Sequence, residues 1–259
     1  SALAAIAEGG SMSGFAISKI GPLQLVDVKH SGQELHDDFF RTCTVSQPLV
    51  GSEIGDTSPG RMVSLFGHDG THWNRHFIVQ VAGCPLNCWY CYVDNLKVDA
   101  VMSCQDLVSN YKRFKEQCPD IHVFHLMGGC PGAFSPLWPE LRECLDENGF
   151  QNDILLTNII LIENLMYKVK PWEHIPDRTL VDVCIKGTSR ENFQENTGRD
   201  FFSAMMLELP YYQGLSNAYF SLIEQELIAS ACFLYLGKKK VDFLTVKDYE
   251  VVKRRVSST

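Results

Sequence analysis

The sequence has no apolar run that approaches the roughly 20 residues needed to cross a bilayer, so it predicts no membrane-spanning helix. Its first eleven residues lack the basic stretch of a secretory signal, and we interpret residues 1–11 as a cloning remnant before a native start at Met12. Positive charge is also scarce, because 23 Lys and Arg stand against 31 Asp and Glu, a net charge of −8. The chain therefore lacks the basic field of most nucleic-acid-binding proteins, and we expect a cytoplasmic protein without membrane or nucleic-acid partners.

Internal repeats and low-complexity segments are absent from the sequence as well. The chain has 259 residues, of which 45% are hydrophobic and 21% charged, and this balance is typical of a folded globular protein. A core of this size needs no disulfide or metal ion to be stable. The length fits one large domain or two small ones.

Cysteine, in contrast, is abundant. The chain has ten cysteines, and without a secretory signal they predict metal binding or buried thiols rather than disulfides. Seven of them are scattered at irregular intervals, as small buried hydrophobic residues are. The other three, Cys84, Cys88 and Cys91, form a C-x3-C-x2-C motif, which is the most informative feature of the sequence.

Three interpretations of this motif are open. Spacings of four and three would place the thiols on one helix face as a buried stripe, although Gly83, Pro85 and the aromatic residues nearby are poor helix formers. A structural zinc site takes four ligands, and no further Cys or His follows at a usual short interval. Three thiolates on a loop suit a [4Fe-4S] cluster, whose fourth iron is then left without a protein ligand and can bind a small molecule.

From residue 76 onward, strand-like and helix-like segments alternate, which predicts βα units and a parallel sheet. The stretch is shorter than the roughly 250 residues of an eight-unit barrel. The predicted fold is therefore α/β, an incomplete (β/α)6 TIM-like barrel over residues 76–259, with residues 12–75 as an N-terminal extension packed on it. The predicted barrel strands are His76–Ala82, His122–Met127, Asp153–Thr157, Leu180–Lys186, Asn217–Ile223 and Val241–Val246; the helices are Gln105–Gln117, Leu137–Glu147, Ile162–Val169 and a stretch from Arg190; the strands of the extension are Phe15–Ile20, Leu23–Val28 and Met62–Phe66.

Active sites of such barrels lie at the C-terminal ends of the strands. The first predicted strand leads into the cysteine motif, and the second ends at Gly128-Gly129. The third ends at Thr157-Asn158 and the fourth at Lys186. A lysine at a strand end can pair with a carboxylate, and a solvated position on the rim is the alternative.

Four histidines have weaker claims to a function. His68, His72 and His76 recur every four residues, but a turn interrupts them, so a loop over the barrel mouth is favoured over metal ligation. His125 lies within the second predicted strand, and a core histidine with satisfied hydrogen bonds is the favoured interpretation.

At Cys84, Cys88, Tyr90 and Cys91 the chain resembles the radical S-adenosylmethionine (radical SAM) superfamily, in which an aromatic residue precedes the third cysteine of this motif. It is most similar in motif to small, single-cluster, activase-like members. The resemblance implies a radical SAM enzyme whose three cysteines hold a [4Fe-4S] cluster and whose open iron binds the methionine moiety of S-adenosylmethionine. Reductive cleavage would yield a 5′-deoxyadenosyl radical that abstracts hydrogen from a substrate, with electrons from an external flavodoxin- or ferredoxin-like donor.

The same resemblance implies which residues contact the cofactor. The superfamily often places Gly-Gly-Glu-Pro after the second strand, where backbone groups hold the amino group of S-adenosylmethionine. This chain keeps both glycines and the proline but has Cys130 in place of the glutamate. The residues implied to contact S-adenosylmethionine are Tyr90, Gly128, Gly129, Thr157, Asn158 and Lys186.

The substrate is expected to be a protein or peptide, with a glycyl residue as one target, or a small metabolite. One alternative is a radical SAM enzyme that modifies tRNA or a nucleoside, against which the acidic composition counts. The other is a non-enzymatic iron–sulfur protein, which the Gly128-Gly129 pair disfavours. No residue is singled out as the one that acts on the substrate.

Overall fold

The computed structural model of the chain describes residues 13–19, 33–35, 39–44, 75–88, 91, 97–187, 189–213, 215, 217–222 and 243–244. Within these ranges, no helix has the length and apolar character that a membrane span requires. The strands are Phe15–Ile17 (β1), Gln33–Leu35 (β2), Phe40–Thr44 (β3), Arg75–Val81 (β4), Ala100–Met102 (β5), Val123–Gly128 (β6), Ile154–Ile159 (β7), Thr179–Ile185 (β8), Ala218–Leu222 (β9) and Phe243–Leu244 (β10).

These strands belong to one mixed sheet. Its central part runs in the order β4, β6, β7, β8, β9, and neighbouring strands there are parallel. At one end, β1 and β3 both pair antiparallel with β4, β5 pairs with β1, and β2 pairs with β3. At the other end β10 pairs antiparallel with β9. The strands of the predicted N-terminal extension therefore continue the sheet to which β4 belongs.

Helices connect the parallel strands, as crossover connections between such strands require. Between β4 and β6 lies α1, which begins after Ser103; the Ser103 hydroxyl accepts from the N–H of Asp106, whose carboxylate accepts from the N–H of Ser103. This capping box satisfies two of the free backbone groups at the helix start. The helices are Cys104–Gln117 (α1), Trp138–Glu147 (α2), Glu163–Tyr167 (α3), Arg190–Thr197 (α4) and Phe202–Glu208 (α5), with shorter 3₁₀ turns at Pro131–Leu137, Pro171–Glu173 and Leu209–Tyr212.

The core lies between the sheet and its helices. Phe77 on β4 is fully buried, and its ring centroid lies 5.4 Å from that of Tyr111 and 5.0 Å from that of Phe114, both on α1. Phe124 on β6 and Phe40 on β3 complete the cluster at 5.3 and 5.2 Å from Phe77. Because side chains alternate along a strand, the neighbour of Phe77, His76, faces the side of the sheet opposite α1.

The structure confirms the predicted order of strands and helices from β4 to α4, with boundaries shifted by at most a few residues. The fifth predicted strand is also confirmed, as β9. The sixth was expected to be parallel, and this is wrong for its described part, because Phe243–Leu244 runs antiparallel to β9. Three short strands, β2, β3 and β5, were not predicted. The predicted strands Leu23–Val28 and Met62–Phe66 lie outside the described residues.

Candidate functional site at the ends of the parallel strands

The cysteine motif begins at the C-terminal end of β4. After Val81 the backbone N–H of Ala82 donates to the carbonyl of Ala16 at 2.8 Å, the last bond that holds this segment to β1. The chain then leaves the sheet at Gly83, and further on the N–H of Cys91 donates to the carbonyl of Cys88 at 3.0 Å. We call residues 83–91 the cysteine loop; residues 89 and 90 lie outside the described part, and Tyr90 with them.

The three thiols of the motif influence one another. None of Cys84, Cys88 and Cys91 is in a disulfide; Cys84 and Cys88 are half-buried, and Cys91 is exposed. Burial raises the pKa of the Cys84 thiol to about 12. The Leu86 N–H, which donates to this sulfur, and the Lys186 ammonium lower that pKa, whereas the charges of Cys88 and Cys91 raise it. All three sulfurs and the lysine therefore lie within electrostatic reach of one another.

This arrangement does not suit a single metal ion. Among the described residues, no three His, Cys, Asp or Glu side chains converge closely enough to hold one. A four-iron cube binds its cysteines at separate corners, so the sulfurs of its ligands do not meet around one point. The anionic cluster that the sequence predicts fits this site for three reasons. The three thiols lie on one loop, a backbone N–H donates to one of the sulfurs, and a lysine ammonium is nearby. Metal binding must displace the proton that burial keeps on the Cys84 thiol.

The two glycines after β6 lie against the root of the cysteine loop. The N–H of Gly129 donates to the carbonyl of Val81 at 2.8 Å, which continues the pairing of β6 with β4 by one residue. A Cβ on Gly129 would overlap the backbone of Gly83. Gly128 has φ of +100°, and a Cβ there would lie 2.9 Å from the carbonyl oxygen of Val81. Both positions therefore require glycine because two strand ends meet there.

Lys186 follows β8 at the same edge of the sheet. It is half-buried, and its carbonyl accepts from the side-chain amide of Asn196 on α4 at 2.9 Å. The next residue, Gly187, packs so tightly on α4 that a Cβ would lie 2.5 Å from the N of Phe193. Helix α4 therefore fixes the backbone from which Lys186 reaches toward Cys84.

Thr157 and Asn158 lie on opposite faces of β7. Thr157 is fully buried, and within the described structure its hydroxyl has no hydrogen-bond partner. Asn158 is half-buried on the other face, which is the face of His76. The alternation of side chains along a strand could have shown that the two cannot reach one ligand from the same side.

Asn158 belongs to a row of polar side chains that crosses four strands. The Nδ1 atoms of His76 and His125 lie 3.3 Å apart. Nε2 of His125 and the side-chain oxygen of Asn158 lie 2.9 Å apart, and since an amide oxygen only accepts, the histidine donates. The Asn158 amide donates to Asp182 at 2.8 Å. The predicted hydrogen bonding of His125 is confirmed, whereas His68 and His72 lie outside the described residues.

A buried pair of carboxylates lies behind the ends of β6 and β7. Glu163 accepts from the N–H groups of Ile160 and Ile162 at 2.8 and 3.0 Å, and from the Cys130 thiol at 3.5 Å. Burial raises the pKa of Glu163. Burial and the charge of Glu163 also raise the pKa of Glu208 to about 8. The pair, which the sequence analysis missed, therefore holds at least one proton at neutral pH.

The fold and site together define an α/β protein in which a parallel sheet presents a three-cysteine loop, a glycine pair and a lysine at the C-terminal edge of its strands. No family model matches the chain. No curated protein matches it either. The resemblance to the radical SAM superfamily therefore rests on the sequence of the cysteine motif.

Two solved structures are similar to the chain. One is anSMEcpe with bound AdoMet and the Kp18Cys peptide, at a TM-score of 0.40 and 20% identity over 54% of this chain and 40% of that one. The other is Streptococcus suis SuiB bound to the precursor peptide SuiA, at a TM-score of 0.41 and 13% identity over 70% of this chain and 44% of that one. The chain spans less than half the length of either protein, and likeness at this level decides neither substrate nor residue roles.

Proposed function

We propose that the protein is a radical SAM enzyme that cleaves S-adenosylmethionine reductively at a [4Fe-4S] cluster held by Cys84, Cys88 and Cys91. When bound, such a cluster supplies the electron for this cleavage, and the radical produced abstracts hydrogen from a substrate. The electron would come from an external flavodoxin- or ferredoxin-like donor. The substrate class is a protein, a peptide or a small metabolite.

The observation that carries the proposal is the position of the cysteine loop. It leaves the sheet at the C-terminal end of β4, beside the glycine pair that ends β6. The thiols share one electrostatic environment with Lys186. In parallel α/β folds, ligands bind at this edge of the sheet. If the three thiols had a purely structural role, there would be no reason for the Lys186 ammonium and the side-chain-free backbone of Gly128 and Gly129 to lie beside them.

The chain's own residues would divide the work of binding. Backbone groups of Gly128 and Gly129 can approach a bound cofactor closely because no side chain stands in the way. The Lys186 ammonium can pair with the methionine carboxylate. Asn158 would act from the polar row rather than as an isolated contact, since its amide already bonds to His125 and Asp182. For Tyr90 and Thr157, the proposed contact with S-adenosylmethionine rests only on the resemblance to the radical SAM superfamily.

The test is anaerobic reconstitution of the full chain with iron and sulfide, followed by assay of 5′-deoxyadenosine release from S-adenosylmethionine under reduction. Cys88→Ala should lose both the brown cluster absorbance and the release of 5′-deoxyadenosine. Cys118→Ala is the matched control, because Cys118 caps the C-terminal end of α1 and lies outside the loop. A Cys88→Ala variant with full absorbance and full cleavage would overturn the assignment.

The same assay separates the alternatives. A non-enzymatic iron–sulfur protein would hold the cluster without cleaving S-adenosylmethionine. An enzyme that modifies tRNA would release more 5′-deoxyadenosine when tRNA is added, whereas one that acts on a peptide or metabolite would not.

A further inference from the structure

The turn that follows α4 contacts the cysteine loop directly. The N–H of Asn87 in the loop donates to the carbonyl of Thr197 at 2.9 Å. The Nε of Arg199 donates to the carbonyl of Pro85 at 3.2 Å, across 114 residues of sequence. Gly198, which lies between Thr197 and Arg199, ends the helix, and a Cβ on it would lie 3.4 Å from the carbonyl oxygen of Asn87. The turn therefore meets the loop between its first two cysteines.

The turn itself is held in place by its own hydrogen bonds. Gly198 adopts φ of +65° and donates to the carbonyl of Gln194 at 2.8 Å, a left-handed helix end that favours glycine. The Thr197 hydroxyl donates to the carbonyl of Phe193 at 2.7 Å and accepts from the N–H of Arg199 at 3.3 Å. Thr197 is fully buried, so the backbone from which Arg199 extends is fixed.

The same helix also holds the other cation of the site, because Asn196 binds the carbonyl of Lys186 at 2.9 Å. Residues 196–199 thus link the end of β8 to the cysteine loop. The guanidinium of Arg199 is bonded at Pro85, the residue next to Cys84, and Lys186 extends from the backbone that Asn196 holds. Both cations favour extra negative charge on whatever the thiolates bind.

We infer that Arg199 is a positioning residue, which orders the cysteine loop through the Pro85 carbonyl and raises the reduction potential of the group that the loop holds. The second half of this inference rests on the proposed function, and the first half does not. The order of the loop before metal binding matters because an unordered loop must lose conformational entropy when its cysteines ligate. By holding the loop through the Pro85 carbonyl, Arg199 reduces the conformational entropy that remains to be lost when the cysteines bind metal.

The first experiment follows amide hydrogen exchange of residues 84–91 in the full chain without iron. Arg199→Met keeps the length of the side chain but removes its donors and its charge. We expect exchange in this peptide to become about tenfold faster, as the loss of one charge-assisted hydrogen bond would cause. Arg190→Met is the matched control, because Arg190 begins α4, the helix that precedes Arg199, and bonds to Asp200 and Ser203 rather than to the cysteine loop. Equal exchange in the two variants would refute a positioning role.

The second experiment measures the midpoint potential of the reconstituted cluster at low ionic strength, where an exposed charge is least screened. Arg199→Met should shift the potential to a more negative value, Arg199→Lys should keep most of the wild-type potential, and Arg190→Met should leave it unchanged. A potential that is the same in all variants would overturn the electrostatic half of the inference. If the wild-type chain held no iron, the proposed function would fail, and the exchange experiment would still decide whether Arg199 orders the loop.

Discussion

The backbone N–H of Gly129 donates to the carbonyl oxygen of Val81 at 2.8 Å, and this bond joins the ends of β6 and β4 where the cysteine loop begins. The approach is so close that the position of Gly83 depends on the absence of a side chain at residue 129. The glycine pair therefore sets where the cysteine loop starts.

We predict that Gly129→Ala lowers the iron content of reconstituted protein severalfold, because its methyl group would push Gly83 and the following Cys84 out of place. The control is Gly149→Ala. Gly149 also has positive φ, at +86°, but nothing lies within 4 Å of a Cβ there. Gly149→Ala should cost about 1 kcal/mol of stability through backbone strain alone and should load iron normally. Iron analysis together with thermal unfolding distinguishes the two effects, and equal iron loading in both variants would contradict the prediction.

The parts of this structure that could be predicted from the sequence depend on local pattern. Alternation of strand and helix segments gave the order of elements, and this order placed Cys84, Gly129 and Lys186 at one edge of the sheet, as β4, β6 and β8 show. The face on which a strand residue lies is also a local property, so the alternation of side chains predicts that Thr157 and Asn158 lie on opposite faces of their strand.

Contacts between distant segments could not be predicted in this way. Arg199 and Pro85 are 114 residues apart, and neither carries a local signal of the other. The same holds for Glu163 and Glu208, which come together where Glu208, at the end of α5, accepts from backbone N–H groups at the start of α3, including that of Asn164 at 3.0 Å. Such contacts depend on how distant segments pack in the folded chain, and this packing cannot be predicted from local patterns in a single sequence.

We predict that Glu208→Gln flattens the dependence of stability on pH. The folded-state pKa of Glu208 is raised to about 8 from its usual 4.5, so between these values the native state binds a proton that the unfolded state lacks. The free energy of unfolding then falls as pH rises through this window, by up to about 1.4 kcal/mol per pH unit, and levels off above it. Glutamine imitates the protonated acid and removes this slope.

Chemical denaturation at a series of pH values from 5 to 9 measures the slope. Glu173→Gln is the control, because Glu173 is an exposed carboxylate in a surface pair with Lys170. Its variant should keep the wild-type slope. A Glu208→Gln variant that parallels the wild type across the whole range would show that Glu208 is ionised in the folded protein throughout.

A last prediction concerns Asp153, which precedes β7 at the edge of the sheet opposite the cysteine loop. Its carboxylate accepts from the Tyr111 hydroxyl at 2.8 Å and pairs with Lys115 and His122. Burial alone would raise the pKa of Asp153, but the hydrogen bonds from His122, Lys115 and Tyr111 outweigh burial, and the pKa is lowered below 3.8. The stability that this charge contributes is therefore present above pH 4 or so and is lost as pH falls through the folded-state pKa.

Asp153→Asn should destabilise the protein by about 3 kcal/mol at pH 7, because it leaves the half-buried Lys115 ammonium without its counter-charge. Tyr111→Phe removes only one hydroxyl from the same carboxylate and should cost about 1 kcal/mol. Urea denaturation at pH 7 and again near pH 3 provides the comparison. The difference in the free energy of unfolding between wild type and Asp153→Asn should narrow at the lower pH, because protonation of the carboxylate, which begins in the unfolded state, removes the stability that its charge contributes. If this difference in the free energy of unfolding were the same at both pH values, Asp153 would stabilise the fold through the geometry of its hydrogen bonds and not through its charge.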